Sequence, residues 1–133
     1  MMSSASNTIG TIITVTFFGT NVPLPDNQQL NNMSINGAND TFTIEQSGMY
    51  ELEYHIYLTN PATSTYSRLE CNGAPLVDSE FTPVIGTDHL TKKVTVNLNA
   101  GDTLSLQVYN YLGPVTLVNG DPSKVTSLSI TKK

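Results

Sequence analysis

Basic residues are scarce in this 133-residue chain: six Lys and Arg stand against eleven Asp and Glu, a formal net charge of −5. Nucleic-acid phosphates are held by clustered Lys and Arg. Beyond Lys92-Lys93 and Lys132-Lys133 the basic residues are scattered, which argues against a nucleic-acid partner. Cysteine is rarer still. Cys71 alone excludes an internal disulfide and a cysteine-rich zinc site, and its place in the alternating run Tyr66 to Cys71 reads as a buried small side chain. No hydrophobic run is long enough to span a bilayer, and no basic amphipathic helix is present, so membrane insertion is not expected. The opening Met1-Met2-Ser3-Ser4-Ala5-Ser6 has neither the charged start nor the apolar stretch of a secretory signal. Residues 1–7 read as a flexible lead-in. Charged residues of both signs reach only 13%, about half the usual share, so few charges would need desolvating at a subunit contact.

What is present points to strands. Thr, Ser, Asn, Val, Leu and Ile dominate, and turn residues recur between short alternating segments. Thr8 to Phe18 is rich in β-branched residues and stops at Gly19, and the proline-bearing loop Asn21 to Asp26 follows. A polar stretch, Asn27 to Asn39, holds a short strand near Met33–Ile35, and Thr41 to Glu45 forms another. The clearest strand is Met49 to Thr59, with Tyr50, Leu52, Tyr54, Ile56 and Leu58 on one face and Glu51, Glu53, His55 and Tyr57 on the other, ended by Pro61. Tyr66 to Cys71 turns at Asn72-Gly73, a dipeptide suited to positive φ. Asp88 to Leu98 follows, with Val94, Val96 and Leu98 on one face; after the turn Asn99 to Asp102 comes Thr103 to Tyr109, with Leu104, Leu106 and Val108 inward. Val115 to Val118 and Val125 to Ile130 close the chain. Eight to ten short strands without a helix imply one all-β domain over residues 1–133, a sandwich of two antiparallel sheets.

Catalytic constellations are missing. His55 and His89 belong to no H-E-x-x-H or H-x-H pattern, and Glu51 and Glu53 have no second acidic cluster to work with. Repulsion involving these glutamates calls for a compensating positive charge: Arg68, a lysine or a bound cation. The expectation is a chain that is not an enzyme and carries no cofactor.

Phe42, then Gly48 after five residues, then Tyr50, Leu52 and Tyr54 in alternation resemble the core pattern of complement one-q and TNF-like domains. Gly48 is expected to make the sharp turn between two strands. Three further blocks resemble the C-terminal domain of BclA, the collagen-like glycoprotein of the Bacillus exosporium. They are Gly19-Thr-Asn-Val-Pro-Leu-Pro25, then Arg68 with Asn72-Gly73-Ala74-Pro75-Leu76, then Leu98 to Gln107. They occur in family order and span roughly Gly10 to Ile130. The resemblance implies a TNF-like jelly roll that assembles as a homotrimer and caps a stalk on an extracellular surface, the spore exosporium or the cell surface. It also implies a host-surface glycan or protein receptor as a partner for the outer loops. No Gly-X-Y tract stands in this sequence. A phage fibre or capsid-decoration knob on a virion, and a carbohydrate-binding module, are the alternative readings.

In that layout the strands bearing His55, Tyr57, Tyr109 and Tyr111 form the inner sheet, whose far face meets neighbouring subunits. These four residues, with one of Phe17 and Phe18, are the expected trimer contacts. Asp78, Glu80 and Asp88, in an oxygen-rich region, are weak calcium candidates by analogy with complement-type trimers.

Overall fold

The computed structural model describes residues 2–8, 12–13, 20–62, 65–76, 78–81, 87–110, 115–117 and 125–133; at some strand ends, Asp88 and Tyr109 among them, only the backbone is described. Among these residues the strands are β1 (Met2–Asn7), β2 (Ile12–Ile13), β3 (Thr20–Asn21), β4 (Asp26–Gln29), β5 (Met33–Ile35), β6 (Phe42–Ile44) and β7 (Gly48–Ala62). There follow β8 (Thr65–Cys71), β9 (Ala74–Pro75), β10 (Thr87–Leu98), β11 (Thr103–Asn110), β12 (Val115–Thr116) and β13 (Thr126–Lys132). A five-stranded sheet has the order β10-β7-β13-β1-β4. A six-stranded sheet has the order β5-β6-β11-β8-β9, with β3 also paired to β11, and β12 pairs with β2. All the pairings are antiparallel.

The alternation in β7 decides where the core lies. Tyr50, Leu52, Tyr54, Ile56 and Leu58 are all buried, and β10 and β13 add Leu90, Val94, Leu98, Leu128 and Ile130. Phe42, Ile44, Leu69, Leu104, Leu106 and Val108 of the six-stranded sheet meet them in one continuous cluster. Each such aliphatic side chain taken from water contributes about 1.5–3 kcal/mol. Lys92 shares the inward phase of Leu90 and Val94 but stays exposed. It lies on β10, the sheet edge, where an inward-phased charge discourages pairing with another strand.

Three local expectations change. Residues 2–7, read as a flexible lead-in, form β1, paired with β13 along its full length and with β4 on its other side. Its inward and crowded positions are filled by Ser3, Ala5, Ser6 and Asn7, all buried, so small size rather than β-branching suits it to the sheet interior. β7 does not end at Pro61. Its ladder with β13 stops at His55, and its register with β10 shifts between Thr87 and His89, so the proline falls where the missing N–H interrupts no regular ladder. Gly48 has no left-handed φ. A Cβ there would approach the Lys132 side chain to 2.8 Å, so the glycine admits a cross-strand neighbour rather than making the turn.

Candidate functional site

Strand alternation that buries Leu52, Tyr54 and Ile56 presents Glu51, Glu53, His55 and Tyr57 on the outward face of the five-stranded sheet. The register sets their neighbours. Glu51 lies between Thr95 and Thr131, Glu53 between Lys93 and Ser129, His55 between Thr91 and Ser127, and Tyr57 opposite His89. Met2 pairs with Thr131 and Ser6 with Ser127, so the N-terminus lies at the Glu51 end and the rings at the other.

At the ring end three side chains form a layer. Tyr57 stacks on His89 with centroids 4.1 Å apart and planes inclined by 10°. The His55 ring is nearly parallel to both, its centroid 5.1 Å from that of His89 and 6.4 Å from that of Tyr57. His55 Nδ1 and His89 Nε2 are 2.9 Å apart, a hydrogen bond in which one ring donates and the other accepts. On its far side, His55 Nε2 lies 3.5 Å from Glu53 Oε1. The side chains of His55 and Glu53 are 34% and 40% exposed, so the layer is half open to solvent.

Charges along the rest of the face are matched. Glu51 receives Lys93 Nζ at 3.3 Å and Lys133 Nζ at 2.9 Å. The hydrogen bonds from Lys133 and then Lys93 hold its carboxyl below the ordinary range. Lysines thus compensate Glu51, whereas Arg68 lies on β8 of the other sheet, paired with Glu70 at 2.8 Å. Hydroxyls fold back onto backbone: Thr91 Oγ1 donates to the Tyr54 carbonyl at 2.9 Å, and the Tyr57 N–H donates to Thr126 Oγ1 at 3.1 Å. Polar groups that have partners within the protomer are not left unsatisfied when water is excluded from them.

The other expected contacts fall elsewhere. Tyr109 lies on β11 in the six-stranded sheet, so it does not share a sheet with His55 and Tyr57. Phe17, Phe18 and Tyr111 lie outside the described residues. Asp78 and Glu80 are exposed beyond β9, while Asp88 is on β10. Among the described residues no group of three or more His, Cys, Asp or Glu could hold a metal ion. No described helix is long and apolar enough to cross a membrane. Cys71 is half-buried against the core, and burial, then the Asp102 charge, push its thiol pKa up, away from nucleophilic use. The His55–His89 contact escaped sequence reasoning. Its signal lay in the pairing of two outward phases across a long connection, and the register there shifts by a bulge that spacing does not reveal.

No curated protein sequence matches the chain. Among solved structures, murine APRIL superposes with a TM-score of 0.71 at 14% identity, with 100% of both chains covered. Eiger TNF from S. frugiperda gives 0.64 at 17% identity, over 100% of this chain and 92% of that one. Rabbit GITRL gives 0.62 at 14% identity, over 99% and 93%. At these identities the likeness is one of fold: a TNF-like jelly roll. The family model described as the BclA C-terminal domain matches residues 3–132, nearly the whole sequence, and the chain belongs to that family.

Proposed function

We propose that the chain is a non-catalytic homotrimeric knob that displays a binding surface on the outside of a spore, as the C-terminal, outer end of a collagen-like exosporium glycoprotein. The observation that carries this reading is the family match over residues 3–132, since that resemblance implies a trimer at the head of a stalk. The outward face of the five-stranded sheet supports it. Tyr57 offers a large, half-buried ring, and Glu51 is neutralised within the protomer by two lysines. Three copies of one loop set would then give a weak receptor or glycan contact useful strength through avidity. The N-terminal strand starts at the Glu51 end of the face, so a stalk joined there leaves the ring end outermost.

The test is a charge placed in the contact. Tyr57→Glu is expected to yield folded monomers, unchanged in far-ultraviolet circular dichroism, under conditions where the parent chain is trimeric. An exposed serine-to-glutamate change on β5 of the other sheet, Ser34→Glu, serves as a control for added charge away from this face and is expected to stay trimeric. A trimer that tolerates Tyr57→Glu as well as Ser34→Glu would remove this face from the assembly.

A further inference from the structure

We propose that assembly through the ring layer is proton-sensitive, with His55 and His89 forming a two-site switch that acidification opens. This rests on the trimer reading above. The two imidazoles meet nitrogen to nitrogen at 2.9 Å. That bond needs one N–H and one lone pair. With no added proton the pair satisfies it when the two rings take complementary tautomers, one facing nitrogen protonated and the other bare. With one added proton the charged ring donates to the neutral one. A second proton occupies the accepting lone pair, so the bond is lost and two like charges face one another.

The surroundings determine how far protonation goes. On β7, Glu53 lies 3.5 Å from His55 Nε2 and favours a charge on that ring, and Tyr57 stacks on His89 at 4.1 Å, where its face accepts a cation. Further along the face Glu51 is engaged by Lys93 of β10 and Lys133 beyond β13. Thr91 of β10 and Ser127 of β13, the cross-strand neighbours of His55, carry no charge. The first proton is therefore accommodated within the pair, and the second forces the rings apart. His89 is also the ring that covers Tyr57, so its departure disrupts the surface on which copies pack. A trimer holds three such pairs, so the effect is repeated at each subunit.

The experiment follows sedimentation velocity and imidazole nitrogen NMR on the same samples from about pH 7.5 to about pH 5. The expected result is a rise of roughly tenfold or more in the trimer dissociation constant, with the His55 and His89 rings taking up protons in two coupled steps rather than independently. His89→Gln keeps a donor and an acceptor at that position but cannot titrate, so, whatever its trimer dissociation constant at neutral pH, that constant is expected to change little on acidification. A dissociation constant that does not change with pH, or one that changes equally in His89→Gln, overturns the switch. Two independent titrations overturn the pairing itself. A parent chain that is monomeric throughout overturns the trimer reading and the coupling with it, while the NMR titration still judges the pair.

Discussion

Tyr54 ties the two sheets together through its hydroxyl. That oxygen lies 2.8 Å from Ser67 Oγ and donates to the Ser79 carbonyl oxygen at 2.8 Å, in a fully buried setting. Ser79 in turn accepts the Leu69 N–H at 3.0 Å and donates to the Leu76 carbonyl at 2.7 Å, which pins the segment after β9 beneath β8. Tyr54→Phe keeps the ring but strands part of this network, and a loss of about 1–3 kcal/mol is expected in urea unfolding. Leu52→Ala, at a fully buried core position, should cost more, about 2–5 kcal/mol. A tyrosine change as harmless as a surface substitution would show that the network contributes nothing. At this scale the sequence was legible wherever period two ran unbroken, as in Tyr50 to Leu58. It was not legible at His55 and His89, since their contact depends on a register set by the whole sheet.

Turns show the same division between local and distant control. Asn72 and Gly73 have φ of 54° and 81°, the paired left-handed conformation of a two-residue hairpin, and they join β8 to β9 with Cys71 opposite Ala74. That much follows from the dipeptide. Nothing lies within 4 Å of a Cβ added at Gly73, so Gly73→Val strains only the backbone, and a cost of about 1–2 kcal/mol is expected in thermal or urea unfolding. The Asn72 side chain also donates to Asp102 Oδ1 at 3.0 Å and accepts the Thr103 N–H at 3.0 Å, coupling this hairpin to the turn before β11. Asn72, then the Asn99 N–H, hold the Asp102 carboxyl below its ordinary value. A lowered folded-state pKa contributes stability that is complete above the unfolded value and is lost as pH falls through the folded one. Asp102 and Glu51 should therefore both favour the folded state at neutral pH and cease to do so in acid, below the ordinary carboxylate range. The melting temperature is expected to fall there, and by less in Asp102→Asn than in the parent. An equal acid-induced fall in both would remove Asp102 from the account. β1 was hidden from sequence reasoning for a different reason: Ser3, Ala5 and Ser6 have low strand propensity and are strands because β13 and β4 flank them.

For the whole molecule, the jelly roll was legible from alternation, turn spacing and the three motif blocks. The division of strands between sheets was only partly so. Alternation in the sequence sets Tyr109 out of step with Leu104, Leu106 and Val108, but such a pattern does not say which sheet a strand joins, and β11 pairs with β8 rather than β7. What the fold places on one face is a polar, internally neutralised field at the N-terminal end and a layer of three rings at the far end. The account's central claim is that three copies associate through that face. Sedimentation equilibrium of the parent chain at micromolar concentration and neutral pH tests it most directly. The account predicts a single species with three times the mass of one chain; a stable monomer would contradict it.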